Sequence, residues 1–305
     1  SSWLTMMENR LSLAKKFMRD DGVIFVSIDD NEIYKLKEIV NELDFLGNFI
    51  VKVKVGGGSD NKFIVPEHEY VLLFAKNKDK VGYLWGLPSE EYLKNFRFED
   101  EKGKYYLDSL EKTGIDTRRP NLKYPIKAPD GTTVLPKTIW RLSKEEFERR
   151  LANNEIVFIY DEVNKEWKIY TKTYYRGKIR PRSIVDKIGY TREGNKEIKE
   201  LGLSYLYPKP TELIKWLIYI DNSIEGDKDK FILDFFAGSG TTAHAVMKLN
   251  KEDGGNRKFI LVEMADYFET IILPRIKKVA YSFNWKDGRP QDTDGLGVFF
   301  KYQIL

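Results

Sequence analysis

There is no cysteine among the 305 residues. That excludes disulfides, thiolate metal ligands and a cysteine nucleophile, and it fits a reducing compartment. Histidine is nearly as scarce. His68 and His244 are the only two, too few for a histidine metal site and a poor basis for a Ser–His–Asp hydrolase. No apolar run reaches the roughly 18 residues needed to span a bilayer, and no signal peptide is legible. No membrane and no metal are therefore expected, and the expected location is the cytoplasm. An excess of either charge is missing too: 51 Lys and Arg stand against 47 Asp and Glu, a net of +4. Bulk charge thus decides nothing about nucleic acid, and its distribution must. The chain opens Ser1-Ser2-Trp3, without an initiator methionine and already in a helical pattern, and so reads as starting inside a longer protein.

What is present first is alternation. Leu4, Met7, Leu11, Ala14 and Met18 recur at helical spacing over 3–19. Val23–Ile28 is a continuous apolar run, the mark of a strand buried on both faces. Asp29-Asp30 reads as the cap of a helix over 31–43, and strands are expected over Phe49–Val55 and Tyr70–Ala75. Gly56-Gly57-Gly58 lacks the Lys-Ser/Thr of a phosphate loop and reads as a mobile loop. From about 78 to 200 the runs shorten and aromatics and charges crowd in. Asp130-Gly131 and Asn153-Asn154 mark turns, and Glu155–Tyr160 and Trp167–Tyr170 read as paired strands. The alternation returns at 209, with a helix opened by Pro210, a helix from Tyr267 to Ser282, and a tail, Leu296–Leu305, that reads as an edge strand. The expected organisation is a split α/β domain, 1–77 and 201–305, interrupted by a mixed insertion at 78–200.

The most informative stretch is Phe231–Thr241, Phe-Ile-Leu-Asp-Phe-Phe-Ala-Gly-Ser-Gly-Thr. An apolar run closes on Asp234, a glycine turn follows, and a helix opens at Thr241. A second apolar run, Phe259–Val262, ends in Glu263, at the roughly 20-residue spacing of nucleotide-type cofactor sites. Gly238 and Gly240 let the backbone approach a ligand where a Cβ would collide. Glu263 is placed to accept ribose hydroxyls. The competing reading is a tight strand–helix turn that binds nothing. A nicotinamide site normally has three glycines and opens its domain. The F-x-G-x-G pattern after an acid suits S-adenosylmethionine instead, with Asp234 meeting the methionine ammonium and Phe236 contacting the adenosyl part.

The stretch Asp234–Thr242 resembles the cofactor motif of amino-methylating DNA methyltransferases. Tyr207–Leu213, Tyr-Pro-Lys-Pro-Thr-Glu-Leu, resembles the segment that precedes it in the permuted β class, where the cofactor motif follows the target-recognition region. Trp3–Leu11, Gly22–Glu32, Glu67–Asn77 and Thr191–Glu197 resemble stretches of the modification (Mod) subunit of type III restriction–modification systems, so the similarity runs from end to end. It implies a Rossmann-like S-adenosylmethionine-dependent α/β fold and methyl transfer to adenine N6 in double-stranded DNA. It also implies Lys209, Thr211 and Thr241 as further cofactor residues, a homodimer, a restriction (helicase–nuclease) subunit as partner, and a prokaryotic cytoplasm. One departure is large. The family's catalytic Asp-Pro-Pro-Tyr, which grips a flipped base, does not occur, and no Pro-Pro pair exists here. No catalytic residue is therefore assigned in this chain, and the expectation is that the motif lies before Ser1. The alternative is a non-catalytic DNA-binding or subunit-docking fragment.

DNA contact is expected from a run of one sign. Lys168, Lys172, Arg176, Lys178, Arg180 and Arg182 carry no acid among them and alternate with aromatics, and Arg118, Arg119 and Lys123 form a second cluster. A solvated strand face is the competing explanation. His68 reads as structural and His244 as a helix-face residue.

Overall fold

The computed structural model describes residues 2–56, 62–86, 88–114, 119–221 and 228–304. Gly57, Gly58 and Arg118 lie outside them. The chain groups into two compact units, residues 1–86 with 180–305, and residues 87–179. Residues 78–86 and 180–200, expected in the insertion, thus group with the first unit.

In chain order the main elements are α1 (Ser2–Phe17), β1 (Val23–Ile28), α2 (Ile33–Ile39), β2 (Asp44–Lys52) and β3 (His68–Ala75). The second unit contributes β4 (Phe98–Asp100), β5 (Gly103–Ser109), α3 (Lys144–Ala152), β6 (Ile156–Asp161) and β7 (Glu166–Tyr174). The first unit resumes with β8 (Ile184–Val185), α4 (Thr191–Glu200), α5 (Thr211–Ile220), β9 (Phe231–Asp234), α6 (Thr241–Asp253), β10 (Lys258–Leu261) and α7 (Leu273–Tyr281).

The first unit is layered α/β. Its four-stranded sheet runs β1-β3-β2-β8, with β3 antiparallel to both neighbours and β8 parallel to β2. Period-two alternation divides each strand between two cores. Val71 and Leu73 face one way, onto Leu213, Leu217 and Ile220 of α5. Leu72 and Phe74 face the other, onto Met7 and Leu11 of α1 and Ile33 and Leu36 of α2. β1 divides likewise, with Val23 and Phe25 on the first core and Ile24, Val26 and Ile28 on the second. Both of its faces are apolar, as its sequence implies, yet it is only half-buried, because it is the edge of this sheet among the described residues. β9 and β10 form a separate parallel pair, packed through Ile232, Phe259 and Leu261 against α6 and its neighbours. The opposite face leaves Phe231, Leu233, Ile260 and Val262 exposed.

Three local expectations need correction. The helix expected over 31–43 ends at Ile39. Asp29 does not cap it: its carboxylate accepts from the Asn31 backbone at 3.1 Å and side chain at 2.8 Å, closing a local turn ahead of the helix. The strand expected at 49–55 starts five residues earlier and ends at Lys52, with a register shift between Phe45 and Gly47. The tail forms no strand among its described residues, 296–304. Leu296, Val298 and Phe300 do alternate inward onto the α7 core, but the N–H groups of Gly295 and Gly297 go to the carbonyls of Tyr281 and Ala280 at the end of α7. The alternation is genuine, but the hydrogen-bond partner is a helix end.

The second unit holds an antiparallel sheet, β4-β5-β7-β6, over a core of Leu110, Tyr124, Ile126, Trp140, Phe147, Ile156 and Ile169. The β6–β7 hairpin matches the expected strand pair and extends it to Tyr174. Ser143 caps α3, its hydroxyl accepting from the Glu146 N–H at 3.2 Å. Among the described residues no helix is long and apolar enough to cross a membrane, and no cluster of His, Asp and Glu has metal-ligand geometry.

Candidate cofactor site and the basic segment

β9 and β10 are in register, Asp234 opposite Leu261, so Asp234 and Glu263 stand at the carboxyl ends of neighbouring parallel strands. Between them the chain turns through Gly238 and Gly240, with φ of 54° and 74°. That left-handed backbone costs a side-chain-bearing residue about 1–2 kcal/mol. A Cβ on Gly238 would also lie 3.1 Å from the Tyr205 hydroxyl. Both glycines are thus favoured by backbone sign, and Gly238 also by the closeness of a tyrosine of the protein itself, besides any ligand.

The two carboxylates brace the turn. Asp234 accepts from the Phe236 N–H at 3.1 Å and from the Thr242 hydroxyl at 2.6 Å. Glu263 accepts from the Gly238 N–H at 2.8 Å with one oxygen, and from the N–H groups of Met264 and Ala265 at 2.9 and 3.1 Å with the other. A carboxylate offers about four acceptor positions. Asp234 therefore keeps capacity for an ammonium. Glu263 keeps capacity for one further hydroxyl, and taking both ribose hydroxyls would displace one of its present bonds. Phe236 is 48% exposed beside the turn, free to meet a flat ring. Lys209 sits behind the turn: its carbonyl accepts from the Thr241 hydroxyl at 3.2 Å, and its ammonium pairs with Glu69 at the start of β3.

Thr211 and Thr241 are placed differently from the other expected cofactor residues. Thr211 is 0% exposed. Its hydroxyl donates to Glu197 at 2.5 Å and its N–H bonds the same carboxylate at 3.2 Å. The Thr241 hydroxyl lies 3.1 Å from that of Ser239 and accepts from Arg275 at 2.9 Å. Both side chains belong to a buried polar cluster under the turn, completed by His244. The Arg275 guanidinium approaches His244 Nδ1 at 3.2 Å. A guanidinium only donates, so Nδ1 is the acceptor and the ring is neutral with its proton on Nε2. Burial, aided by the nearby Arg275 charge, holds His244 well below its ordinary pKa. Burial pushes the Glu197 carboxyl up, against the pull of Thr211 and Arg275, and draws Arg275 down to about 10. Glu197 and Arg275 went unassigned in the sequence. The available signal was position: Arg275 shares a helical face with Ile272, Ile276 and Val279, all buried, where solvent-facing charge does not belong.

The basic run separates by strand. Lys172, within β7, is 8% exposed and pairs with Asp100 at 2.7 Å, lying over the Tyr105 ring. This corrects its expected role, since an ammonium engaged inside the sheet is not offered to a phosphate. Lys168 pairs with Asp161 across the hairpin. Past the end of β7, Arg176 and Arg182 are exposed and Lys178 is half-buried. Arg180 is exposed and lies over two rings, 3.8 Å from the centre of Tyr83 and 4.3 Å from that of Trp85. Arg119 and Lys123 are exposed on either side of the short turn Pro120–Leu122. A cavity of about 620 Å³ in the second unit is lined by Trp140, Tyr160, Trp167 and Tyr170. Its acids are engaged, Asp130 by the Trp167 indole and Glu111 by backbone N–H groups, and none of the expected cofactor residues lines it.

Comparison with known proteins places this geometry in context. A protein-family profile described as DNA methylase matches residues 1–273. The type III restriction–modification enzyme StyLTI Mod subunit of Salmonella typhimurium is 35% identical over 86% of this chain and 40% of its own length. The EcoPI Mod subunit of Escherichia phage P1 is 33% identical over 86% and 45%. The type II methyltransferase M.KpnI of Klebsiella pneumoniae is 32% identical over 86% and 67%. The chain thus spans less than half the length of the type III relatives. Among solved structures, the DNA modification methylase TTHA0409 of Thermus thermophilus, complexed with S-adenosyl-L-methionine, is 17% identical with a TM-score of 0.43, over 91% of this chain and 78% of that one.

Proposed function

The chain belongs to the DNA methylase family, and from that premise we propose that it is the cofactor-holding and DNA-contacting part of a site-specific adenine-N6 methyltransferase of a type III restriction–modification system. The observation that carries the reading is the pair Asp234 and Glu263 at adjacent parallel strand ends, flanking a left-handed glycine turn. Both carboxylates retain acceptor positions after bracing the turn, which fits S-adenosylmethionine. When bound, that cofactor supplies an electrophilic methyl on a sulfonium. Asp234 would receive the methionine ammonium, Glu263 a ribose hydroxyl, and Phe236 the adenosyl ring. Lys209 supports the turn from behind.

The substrate is double-stranded DNA, with the adenine flipped and its N6 held in line with the methyl. The residues that grip the base in this family, Asp-Pro-Pro-Tyr, are not among the 305, so that task falls to a segment outside them. Exposed Arg119, Lys123, Arg176 and Arg182 are the phosphate contacts, together with Lys178. A homodimer and a helicase–nuclease restriction partner complete the proposed assembly, in a prokaryotic cytoplasm.

A second reading rests on the missing tetrapeptide: a DNA-binding or subunit-docking protein that does not methylate. Incubating the full-length protein that carries this chain with duplex DNA and methyl-labelled S-adenosylmethionine separates the two. Label on adenine N6 is expected. DNA binding without label would leave only the second reading.

A further inference from the structure

The buried cluster under the turn is centred on one guanidinium. Arg275 is 0% exposed, and its two terminal nitrogens face different parts of the unit. Nη1 donates to the Ser239 carbonyl at 3.3 Å, the Ser239 hydroxyl at 2.9 Å and the Thr241 hydroxyl at 2.9 Å. All three acceptors are in the glycine turn or its first helical residue. Nη2 reaches Glu197 on α4 at 3.5 Å, Thr211 at the start of α5 at 3.3 Å and His244 on α6 at 3.2 Å. A guanidinium is a rigid plane, so the position of the turn is referred to three helices through one group.

The grip falls on a sensitive bond. The Ser239 carbonyl belongs to the peptide that enters Gly240, whose φ is 74°. Fixing that carbonyl restricts ψ of Ser239 and φ of Gly240. Glu263 holds the other side of the turn through the Gly238 N–H. α4 is itself seated against the chain that leads to the turn: a Cβ on Gly194 would lie 2.2 Å from the Pro208 carbonyl oxygen.

We propose that Arg275 and its counter-ion Glu197 are positioning residues for the cofactor, holding the Ser239–Gly240 peptide in the orientation that S-adenosylmethionine meets. This rests on the cofactor reading given under Proposed function. Arg275 has no exposed surface to offer a ligand and acts through the peptide it holds. Burial acts against both charges, raising the Glu197 pKa and lowering that of Arg275. Because Arg275 also serves Ser239, Thr241, Thr211 and His244, stability and cofactor affinity are read side by side in the test.

The variants Glu197→Gln, Arg275→Lys and the charge-free pair Arg275→Met with Glu197→Leu are made in the full-length protein. Each is measured for melting temperature, S-adenosylmethionine affinity by calorimetry, and cofactor KM and kcat. Glu197→Gln keeps the volume and an acceptor for Thr211, which guards against simple misfolding. It is expected to raise the cofactor Kd and KM about tenfold, with kcat at saturating cofactor unchanged. Arg275→Lys keeps the charge without the fork and is expected to weaken the cofactor further. The apolar pair also strips Ser239, Thr241, Thr211 and His244 of their partners and is expected to melt below wild type and to bind the cofactor more than tenfold more weakly. Cofactor constants within twofold of wild type in the variants that fold would overturn the positioning role. No S-adenosylmethionine binding by wild type would instead remove the cofactor reading on which it rests.

Discussion

The glycine turn and the sheet of the second unit treat charge differently. Under the turn, Glu197, His244 and Arg275 are drawn inward and locked into one polar cluster, and the carboxylates at the strand ends keep acceptor positions for a ligand. In the second unit, Lys168–Asp161 joins neighbouring strands and Arg141–Asp108 ties the bend before α3 to β5, both at the surface, where such pairs contribute little. Of the basic residues expected to meet DNA, Arg176 is exposed past the end of β7, and Arg119 and Lys123 are exposed beside the short turn Pro120–Leu122. A run of one sign in the sequence is therefore not one surface. The sheet absorbs the members that meet an acid, Lys168 with Asp161 on the neighbouring strand and Lys172 with Asp100 two strands away, and leaves the remainder.

The largest effect is expected at the turn's ligand side. Glu263→Ala should weaken S-adenosylmethionine by roughly 30- to 100-fold, about 2–3 kcal/mol for charge-assisted hydrogen bonds, as read by calorimetry. Unchanged affinity would break the assignment of Glu263 to the cofactor. Gly240→Ala should cost about 1–2 kcal/mol of stability from the left-handed backbone, with the Cβ only 3.4 Å from Ile272; a denaturant titration measures it.

The two halves of the basic run give a sharper contrast. Lys172→Ala should lower the melting temperature by a few degrees and leave the salt dependence of DNA binding intact. Arg176→Ala should leave melting intact and reduce the slope of log K against log salt by about one. The reverse pattern would mean that Lys172 leaves Asp100 to meet phosphate.

A further effect concerns pH. His244 is held neutral, with its folded pKa well below 6.5. The stability it contributes is present above pH 6.5 and is lost as pH falls toward the folded value, because the unfolded chain takes up a proton that the folded one refuses. The slope is up to about 1.4 kcal/mol per pH unit. His244→Asn, which keeps an acceptor for Arg275, should flatten the stability profile between pH 6.5 and 5. The Glu197 carboxyl, with its raised pKa, works in the opposite direction in both proteins and cancels in their difference.

Much of this was legible beforehand, for physical reasons. Val23–Ile28, Tyr70–Ala75 and the β6–β7 hairpin announce themselves because alternation and apolar runs survive any context. The glycine turn is legible because only glycine takes its backbone cheaply. Hydrogen-bond partners are harder to read. The tail alternates like a strand, yet its N–H groups find the end of α7. Lys172 looks like a phosphate ligand until Asp100, far away in sequence, arrives beside it. Thr211 looks like a cofactor residue because it follows Lys209-Pro210, but its hydroxyl turns toward Glu197. Arg275 and Glu197 were missed because helices rich in lysine and glutamate read as solvated, although each residue sits beside buried apolar neighbours at helical spacing.

The central claim is that the turn between Asp234 and Glu263 is an S-adenosylmethionine site. Calorimetric titration of the chain with S-adenosylmethionine and, separately, with NAD tests it most directly. Saturable binding of S-adenosylmethionine at one site per chain, weakened by Glu263→Ala, with no heat from NAD, is the predicted result. Binding of NAD alone would contradict it.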